Sequence, residues 1–208
     1  MNLSNRPPVA AVLAVIIPLL LASCAAEREN ADPAGNVEFE VIADYLGDPY
    51  RNEALRIGFR PPLGWEQLSA DQRDQVSAAL LEEQASDRYS LDLVDVFFQT
   101  STLSFAALSR VTLGGEPVLD AADYANSFEA TLEPSDDDEL TSRASFVVND
   151  LPLIQFRHRL SDRITFTLIF SAADGEVAQL DYSIPVPAYE DESIKLESSI
   201  GSLHPLEE

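Results

Sequence analysis

The chain contains very little cysteine, histidine and lysine. Of its 208 residues one is cysteine (Cys24), two are histidine and one is lysine (Lys195). A single cysteine excludes an intramolecular disulfide and the multi-cysteine ligand sets of structural zinc sites. The eight glycines form neither a phosphate-binding loop nor a Gly-x-Gly-x-x-Gly motif, and no His-Glu-x-x-His occurs. We therefore predict no cofactor, no metal site and no nucleotide chemistry.

Basic residues are scarce as well. Thirteen lysines and arginines stand against 36 acidic residues, which gives a net charge of -23. Such a surface repels phosphate backbones, so nucleic acid is not expected as a partner. An acidic chain that prefers arginine to lysine fits either adaptation to concentrated salt or an arginine-biased proteome, and the sequence leaves both open.

The N-terminus has the pattern of an export signal. Arg6 precedes an apolar run over residues 9–21, and Pro18 interrupts this run. The run is too short for a comfortable membrane span, so residues 1–23 are predicted to be a cleaved signal peptide.

The run ends with Leu21, Ala22, Ser23 and Cys24, and this ending resembles the bacterial lipobox. The resemblance implies cleavage before Cys24 and attachment of acyl chains, such as palmitate, that anchor the protein in a membrane. Ala25 stands where an inner-membrane retention signal would have Asp. This implies the periplasmic side of the outer membrane if the cell has two membranes. The alternative is an ordinary secretory signal with an accidental cysteine.

The remaining chain is predicted to be a tether followed by one domain. Residues 24–36 are small and polar without apolar periodicity, so we predict that they form the lipidated cysteine and a flexible tether. Hydrophobic residues make up 46% of the chain and charged residues 24%, which is ordinary globular usage. Residues 37–208 are long enough for one such domain.

Three helices are predicted from apolar spacing and capping residues, over 69–86, 120–132 and 189–203. Ser69 and Gln72 have capping-box spacing, and Asp120 is the expected N-cap of the second helix. Strands are predicted around 55–59, on both sides of a turn at 99–101, and over 141–148, 153–160, 163–171 and 177–184.

The turn between the last two strands can be predicted in detail. A two-residue turn would pair residues of opposite faces, whereas a three-residue loop with Gly175 in a left-handed conformation pairs inward residues with inward residues. The predicted pairs are Ile164 with Ile184, Phe166 with Tyr182, Leu168 with Leu180, and Phe170 with Ala178.

These elements define an α+β fold in which helices flank a mostly antiparallel sheet. The stretch from Ile57 to Trp65 (IGFRPPLGW), the strand around Val96 to Phe98, and the ending from Ile194 to Leu203 (IKLESSIGSL) resemble the PsbP-like superfamily. The resemblance implies an α/β/α sandwich and non-enzymatic docking or assembly roles. It supplies no catalytic residues, so we predict that the chain is not an enzyme.

Few side chains are candidates for chemistry. His158 alternates with Ile154, Phe156 and Leu160, which predicts a neutral, hydrogen-bonded core histidine with no base or nucleophile beside it. Trp65 is expected to close the edge of the core. The acidic run at 136–139 lacks the alternating ligands of a calcium loop and is expected to be solvated.

Arg157, Arg159 and Arg163 form the one local basic cluster in this acidic chain. They are candidates for contact with a partner carboxylate or phosphate. Cross-strand pairing within the sheet is the favoured alternative.

Taken together, these observations predict a membrane-anchored envelope lipoprotein that acts as a non-enzymatic module for docking onto an envelope protein. The alternative is a carrier or receptor for a small apolar or lipid ligand. An exposed apolar patch would favour docking, and a pocket lined by Phe, Tyr and Leu would favour the carrier.

Overall fold

The computed structural model describes residues 35–36, 39–83, 88–132, 142–160 and 162–207, all within one compact unit, Pro33–Glu208. The helices are α1 (Ala70–Glu83), α2 (Ala121–Glu129) and α3 (Tyr189–Gly201). The strands are β1 (Gly35–Asn36), β2 (Tyr50–Asn52), β3 (Ile57–Phe59), β4 (Glu66–Gln67), β5 (Ser90–Gln99), β6 (Ser104–Leu113), β7 (Glu116–Pro117), β8 (Ser142–Val148), β9 (Leu151–Leu160), β10 (Arg163–Ser171), β11 (Val177–Pro185) and β12 (His204–Pro205).

Nine of these strands form a central sheet in the order β1-β8-β9-β10-β11-β6-β5-β4, with β7 paired to β6. All neighbours are antiparallel except β1, which runs parallel to β8. The predicted α+β class, with a mostly antiparallel sheet and three helices, is confirmed.

The predicted pairing of β10 with β11 is also confirmed. Ile164 lies opposite Ile184, and the next inward pairs follow at two-residue steps as expected. The loop is three residues long, and Gly175 has a φ of 77°. Asp174 adopts a positive φ of 57° as well, which Asp tolerates better than most residues.

A second, three-stranded sheet in the order β12-β3-β2 was not predicted. It packs on the central sheet beside α3, because Ile57 and Phe59 share a buried cluster with Leu196 and Ile200. A Cβ on Gly58 would lie 2.7 Å from the His204 imidazole, so a larger residue there would have to displace that side chain.

The two faces of the central sheet are covered differently. One face meets α3 and the small sheet over the larger apolar cluster, and we call it the α3 face. The other meets α2 over a smaller cluster that includes Tyr124, Ala125, Phe156 and Ile169, and we call it the α2 face. The chain is thus layered as predicted, but one outer layer combines a helix with a sheet.

Capping interactions start two helices where the sequence placed them. The Ser69 backbone N–H donates to Gln72 Oε1 over 3.1 Å, and Asp120 Oδ1 accepts from the N–H groups of Ala122 and Asp123. The end of α2 was predicted at residue 132, but the helix stops at Glu129. The Thr131 hydroxyl then donates to the Phe128 carbonyl, in a turn that closes the helix end.

Trp65 closes the core edge as predicted, and it does so through a buried carboxylate. The indole is 6% exposed, and its Nε1–H donates to Glu192 Oε2 over 3.1 Å. Glu192 is itself 2% exposed. Lys195 Nζ donates to its other oxygen over 2.9 Å, so the buried charge is paired.

The tether was predicted to lack regular structure up to residue 36. Gly35 and Asn36 instead pair with Phe146 and Val147 at the edge of the central sheet. The edge strand β8 offers free backbone N–H and C=O groups, and Gly35 and Asn36 pair with them. These two residues therefore belong to the sheet and not to the tether.

The β10–β11 turn gives the first testable prediction. We expect Gly175→Val to lower the free energy of unfolding by about 1 to 2 kcal/mol, because a β-branched residue strains a left-handed backbone. No atom lies within 4 Å of a Cβ at this position, so the cost is conformational and not steric. Urea unfolding followed by circular dichroism measures it.

Asp174→Gly is the matched control in the same loop. It should leave stability unchanged or raise it slightly, since glycine adopts a positive φ without strain. Equal stability of Gly175→Val and the unmodified chain would contradict the role assigned to this turn.

Candidate functional site: two aromatic grooves on opposite faces of the sheet

The first groove lies on the α2 face, between the C-terminal half of α2 and the start of β5. Its volume is about 550 Å³. It is lined by Arg88, Tyr89, Leu91, Tyr124, Ser127, Phe128, Ala130, Thr131 and Gln179. The rings of Tyr89 and Tyr124 meet edge to face with centroids 5.0 Å apart, which is a favourable aromatic geometry. We call this cavity the α2 groove.

A chain of hydrogen bonds starts at the floor of the α2 groove, where Tyr124 and Gln179 line the cavity. The Tyr124 hydroxyl donates to Gln179 Oε1 over 2.6 Å, and Gln179 Nε2 donates to Asp181 Oδ2 over 2.7 Å. The Thr167 hydroxyl donates to the other carboxylate oxygen over 2.6 Å. These four residues tie α2 to β10 and β11, and we call them the polar relay.

Burial perturbs two members of the relay. Burial raises the pKa of Asp181 to about 6, and the two donated hydrogen bonds only partly oppose this shift. Burial also raises the pKa of the Tyr124 phenol above its ordinary value, and the nearby Asp181 carboxylate adds to the effect. Tyr124 therefore remains a neutral donor, whereas Asp181 loses its proton as the pH rises through about 6.

The second groove lies on the α3 face, between α3, the segment at residues 39–42, and strands β8 to β10. Its volume is about 420 Å³. Phe39 packs against Phe146 with centroids 5.6 Å apart, and Phe166 stacks on Tyr189 at 6.2 Å with an interplanar angle of 10°. All four rings line the cavity, which we call the α3 groove.

The predicted arginine cluster is divided between the two faces of the sheet. Arg157 lies opposite Phe166, and Arg159 lies opposite Ile164, so both belong to the α3 face. His158 lies opposite Thr165 on the α2 face, and Arg163 shares that face because it is two residues before Thr165 on the same strand. The structure therefore does not bring the three guanidinium groups together as a cluster.

Arg157 and Arg163 have different surroundings. The Arg157 guanidinium lies over the rings of Phe166 and Tyr189, at 5.8 and 5.6 Å from the ring centroids. Arg163 donates through Nε to Ser183 Oγ over 2.7 Å and from a terminal nitrogen to the Leu103 carbonyl over 2.8 Å. Arg163 on β10 therefore pairs with a residue of the neighbouring strand β11, as in the alternative to partner contact given above.

His158 is half-buried beside Phe128, with ring centroids 6.1 Å apart. Burial lowers its pKa, which agrees with the predicted neutral histidine. Its Nδ1 is buried and has no hydrogen-bond partner in the described part of the chain. The predicted hydrogen bond of a core histidine is therefore not found at this atom.

Other sequence predictions fall partly or wholly outside the described ranges. Leu21, Ala22, Ser23, Cys24 and the acidic run at 136–139 all lie there. Within the ranges that the structure does describe, no group of three or more His, Cys, Asp or Glu side chains could hold a metal ion. No helix of that same part is long and apolar enough to cross a membrane.

The sequence interpretation missed both grooves and the relay. The grooves combine side chains from elements far apart in the chain, and no local pattern signals that. The relay had a usable signal, because Gln179 and Asp181 alternate with Ala178, Leu180 and Tyr182, and this period of two predicts a polar stripe on one face.

Comparison with known proteins gives only distant structural likeness. No family model and no curated protein sequence matches the chain. It is similar to the solution structure of cyanobacterial PsbP (CyanoP) from Synechocystis sp. PCC 6803, with 12% identity over 76% of this chain and 91% of that one and a TM-score of 0.49. A crystal structure from Bacteroides thetaiotaomicron has 9% identity over 78% of this chain and 50% of that one, with a TM-score of 0.41.

Both TM-scores are below 0.5, so neither likeness carries an argument about function. The α+β fold rests on the strands and helices described above, and the PsbP-like resemblance stays a prediction.

The relay gives the second testable prediction. Between its ordinary pKa of 3.8 and about 6, Asp181 keeps its proton in the folded chain but loses it in the unfolded chain. Raising the pH through this window therefore lowers the free energy of unfolding. We expect Asp181→Asn, which stays neutral, to be more stable than the unmodified chain by about 1 kcal/mol at pH 7.5, after allowance for solvent screening.

At pH 4 the two proteins should be equally stable. An asparagine can preserve the relay if the Gln179 amide flips, because its Nδ2 then donates to Gln179 and Gln179 donates to Tyr124. Asp92→Asn, at an exposed position on β5, is the control for general charge removal. Parallel stability curves for Asp181→Asn and the unmodified chain from pH 4 to 7.5 would contradict the assignment.

Proposed function

We propose that the protein is a membrane-anchored envelope lipoprotein whose domain docks onto a protein partner without enzymatic activity. The observation that carries the proposal is the sequence Leu21-Ala22-Ser23-Cys24 at the end of an apolar leader, with Cys24 as the sole cysteine of the chain. Two or three acyl chains on this residue would hold the protein on a membrane, since each buried methylene contributes about 0.8 kcal/mol. Ala25 favours the outer membrane of a two-membrane cell.

Exposed leucine and valine side chains at one end of the central sheet support the docking role. Leu63, Leu103 and Val186 are 52%, 58% and 37% exposed. Leu103 and Val186 both lie at the start of β10, because the Leu103 carbonyl accepts a hydrogen bond from Arg163 and the Val186 N–H donates to the Asp162 carbonyl. Leu63 belongs to the same end, because the adjacent Gly64 lies against the Gln99 side chain where β5 ends. We call this surface the apolar end.

Arg157 and Arg159 offer a second contact for the partner, on the α3 face. The Arg157 guanidinium lies 5.8 and 5.6 Å from two ring centroids, and Arg157 makes no ion pair with any residue in the described ranges. A guanidinium beside aromatic rings can still form charge-assisted hydrogen bonds with a partner carboxylate. Arg163 is less suited, since its nitrogens already donate to Ser183 and Leu103.

A second candidate function is a carrier or receptor for a small apolar ligand. The observation that favours it is the pair of grooves lined by aromatic rings, which have the size of ordinary small-molecule sites.

The anchor gives the third testable prediction. We expect the unmodified chain, expressed in a bacterium with two membranes, to fractionate with the outer membrane and to incorporate radiolabelled palmitate. Cys24→Ala should lose the label and leave the membrane or remain unprocessed. Ser23→Ala, which keeps a small residue before the cysteine, is the control and should behave like the unmodified chain. If Ser23→Ala carries the palmitate label but Cys24→Ala is bound to the membrane to the same extent, Cys24 is not the anchor.

The apolar end gives the fourth testable prediction. We expect native mass spectrometry of the protein, gently extracted from its own membrane, to show a stoichiometric protein partner. Leu103→Asp should reduce the fraction in complex at least tenfold, because a carboxylate at the centre of an apolar contact stays unpaired. Leu119→Asp is the matched control, since Leu119 is 66% exposed but lies next to the start of β11, at the other end of the sheet.

The double variant Arg157→Glu and Arg159→Glu tests the α3 face in the same experiment. A partner that binds all variants equally would exclude both surfaces as the docking site. A spectrum with no partner at all would contradict the docking role itself.

A further inference from the structure

The α2 groove is open because α2 covers only part of its face of the sheet. The nine-residue helix lies over β9 and β10, and the start of β5 remains beside it. Tyr89 and Leu91 face the gap from the chain at the start of β5, and Phe128 faces it from α2. The cavity is therefore built by described residues of these two elements, with Tyr124 and Gln179 of the relay at its floor.

The side chains that line the walls of the α2 groove favour an apolar part of a ligand. Tyr89, Tyr124 and Phe128 present ring surface to the groove, with the Tyr124 and Phe128 centroids 6.3 Å apart. A flat aromatic ligand can pack against such rings in offset or edge-to-face geometry. The volume of about 550 Å³ is within the range of pockets for drug-sized molecules.

The floor does not favour a charged group. The Tyr124 hydroxyl hydrogen and the Gln179 amide are already used within the relay. The Asp181 carboxylate lies directly behind Gln179, and its negative charge disfavours an anion at the bottom of the groove. A ligand therefore enters with its apolar part first.

The mouth favours an anion. Arg88 is exposed at the rim, and its guanidinium lies 5.2 Å from the centroid of the Tyr89 ring. An aromatic groove in a chain of net charge -23 would otherwise suit a cation, because ring faces attract positive charge. Arg88 already lies over the Tyr89 ring and repels a second cation. The mouth of the groove therefore prefers a negatively charged group to a positively charged one.

From this arrangement we propose that the α2 groove binds a small aromatic monocarboxylate, with its ring packed against Tyr89, Tyr124 and Phe128 and its carboxylate on Arg88. The inference rests on the carrier candidate named above and assigns that candidate a ligand class and an orientation.

The test uses the full chain in nanodiscs of zwitterionic lipid, with empty nanodiscs as the blank. Isothermal titration calorimetry at pH 7.5 measures binding of 2-naphthoate and of 2-naphthylmethylammonium, which share a ring system and differ in charge. We expect 2-naphthoate to bind with one site per chain. The ammonium should bind at least tenfold more weakly, as expected when a charge-assisted hydrogen bond is replaced by repulsion.

Variants locate the site. Arg88→Gln should weaken 2-naphthoate about tenfold and remove the preference over the ammonium. Ser127→Trp should fill the groove and abolish binding. Thr131→Trp does the same from an exposed position of the same wall, in case the first variant is unstable. Ile194→Trp, in the α3 groove, is the matched control and should bind like the unmodified chain.

Three results would overturn the proposal: no binding of 2-naphthoate at millimolar concentration, equal binding of the two probes, or unchanged binding in a folded Ser127→Trp or Thr131→Trp variant. Each leaves the anchor at Cys24 and the docking surface untouched, because those are tested by fractionation and by complex formation. Loss of the anchor would in turn leave the ligand measurement valid.

Discussion

The pairing of β10 with β11 is the constraint on which the rest of the structure depends. Both strands lie in the middle of the central sheet, so their register decides which side chains meet α3 and which meet α2. A slip of β11 by one residue, with β10 in place, would turn Tyr182 away from the larger core and bring Asp181 into it. The left-handed backbone at Gly175 prevents this slip, because it sets the loop at three residues. One loop thus determines the chemistry of two surfaces.

The two faces of the sheet that result differ in polarity, and this difference explains where the grooves are. The α3 face is apolar over most of its area and is covered by a helix and a second sheet. The α2 face changes along its strands, from Val177 and Ile169 under the helix to Asp181 and Ser183 farther on. A helix over the polar part of this face would bury no apolar surface. The short helix α2 therefore covers only the apolar part, and the cavity beside it stays open. The aromatic residues around that cavity are then available to a ligand.

The sequence predicted those features that a local pattern controls. Alternation set the β10–β11 register, and the side chains of Ser69 and Asp120 marked helix starts, since caps act within one turn. The strand at β3 was predicted, but its partners β2 and β12 were missed because strands of two or three residues carry no periodicity. The predicted arginine cluster is divided between the two faces because Leu160 pairs with Arg163, and this places Arg163 on the face opposite to Arg157. The grooves depend on residues distant in the chain, and only the three-dimensional structure brings those residues together.

The contact between Lys195 and Glu192 has a practical consequence for anyone who works with this protein. Lys195 is the one lysine of the chain, and its amine is bound to a carboxylate that also holds the Trp65 indole. Amine-reactive dyes, cross-linkers and immobilisation surfaces therefore have a single side-chain target, on α3. Modification there removes the cation that neutralises a buried acid, so labelling would disturb the helix it reports on. Carboxylate-directed chemistry on the acidic surface is the gentler route to a labelled domain.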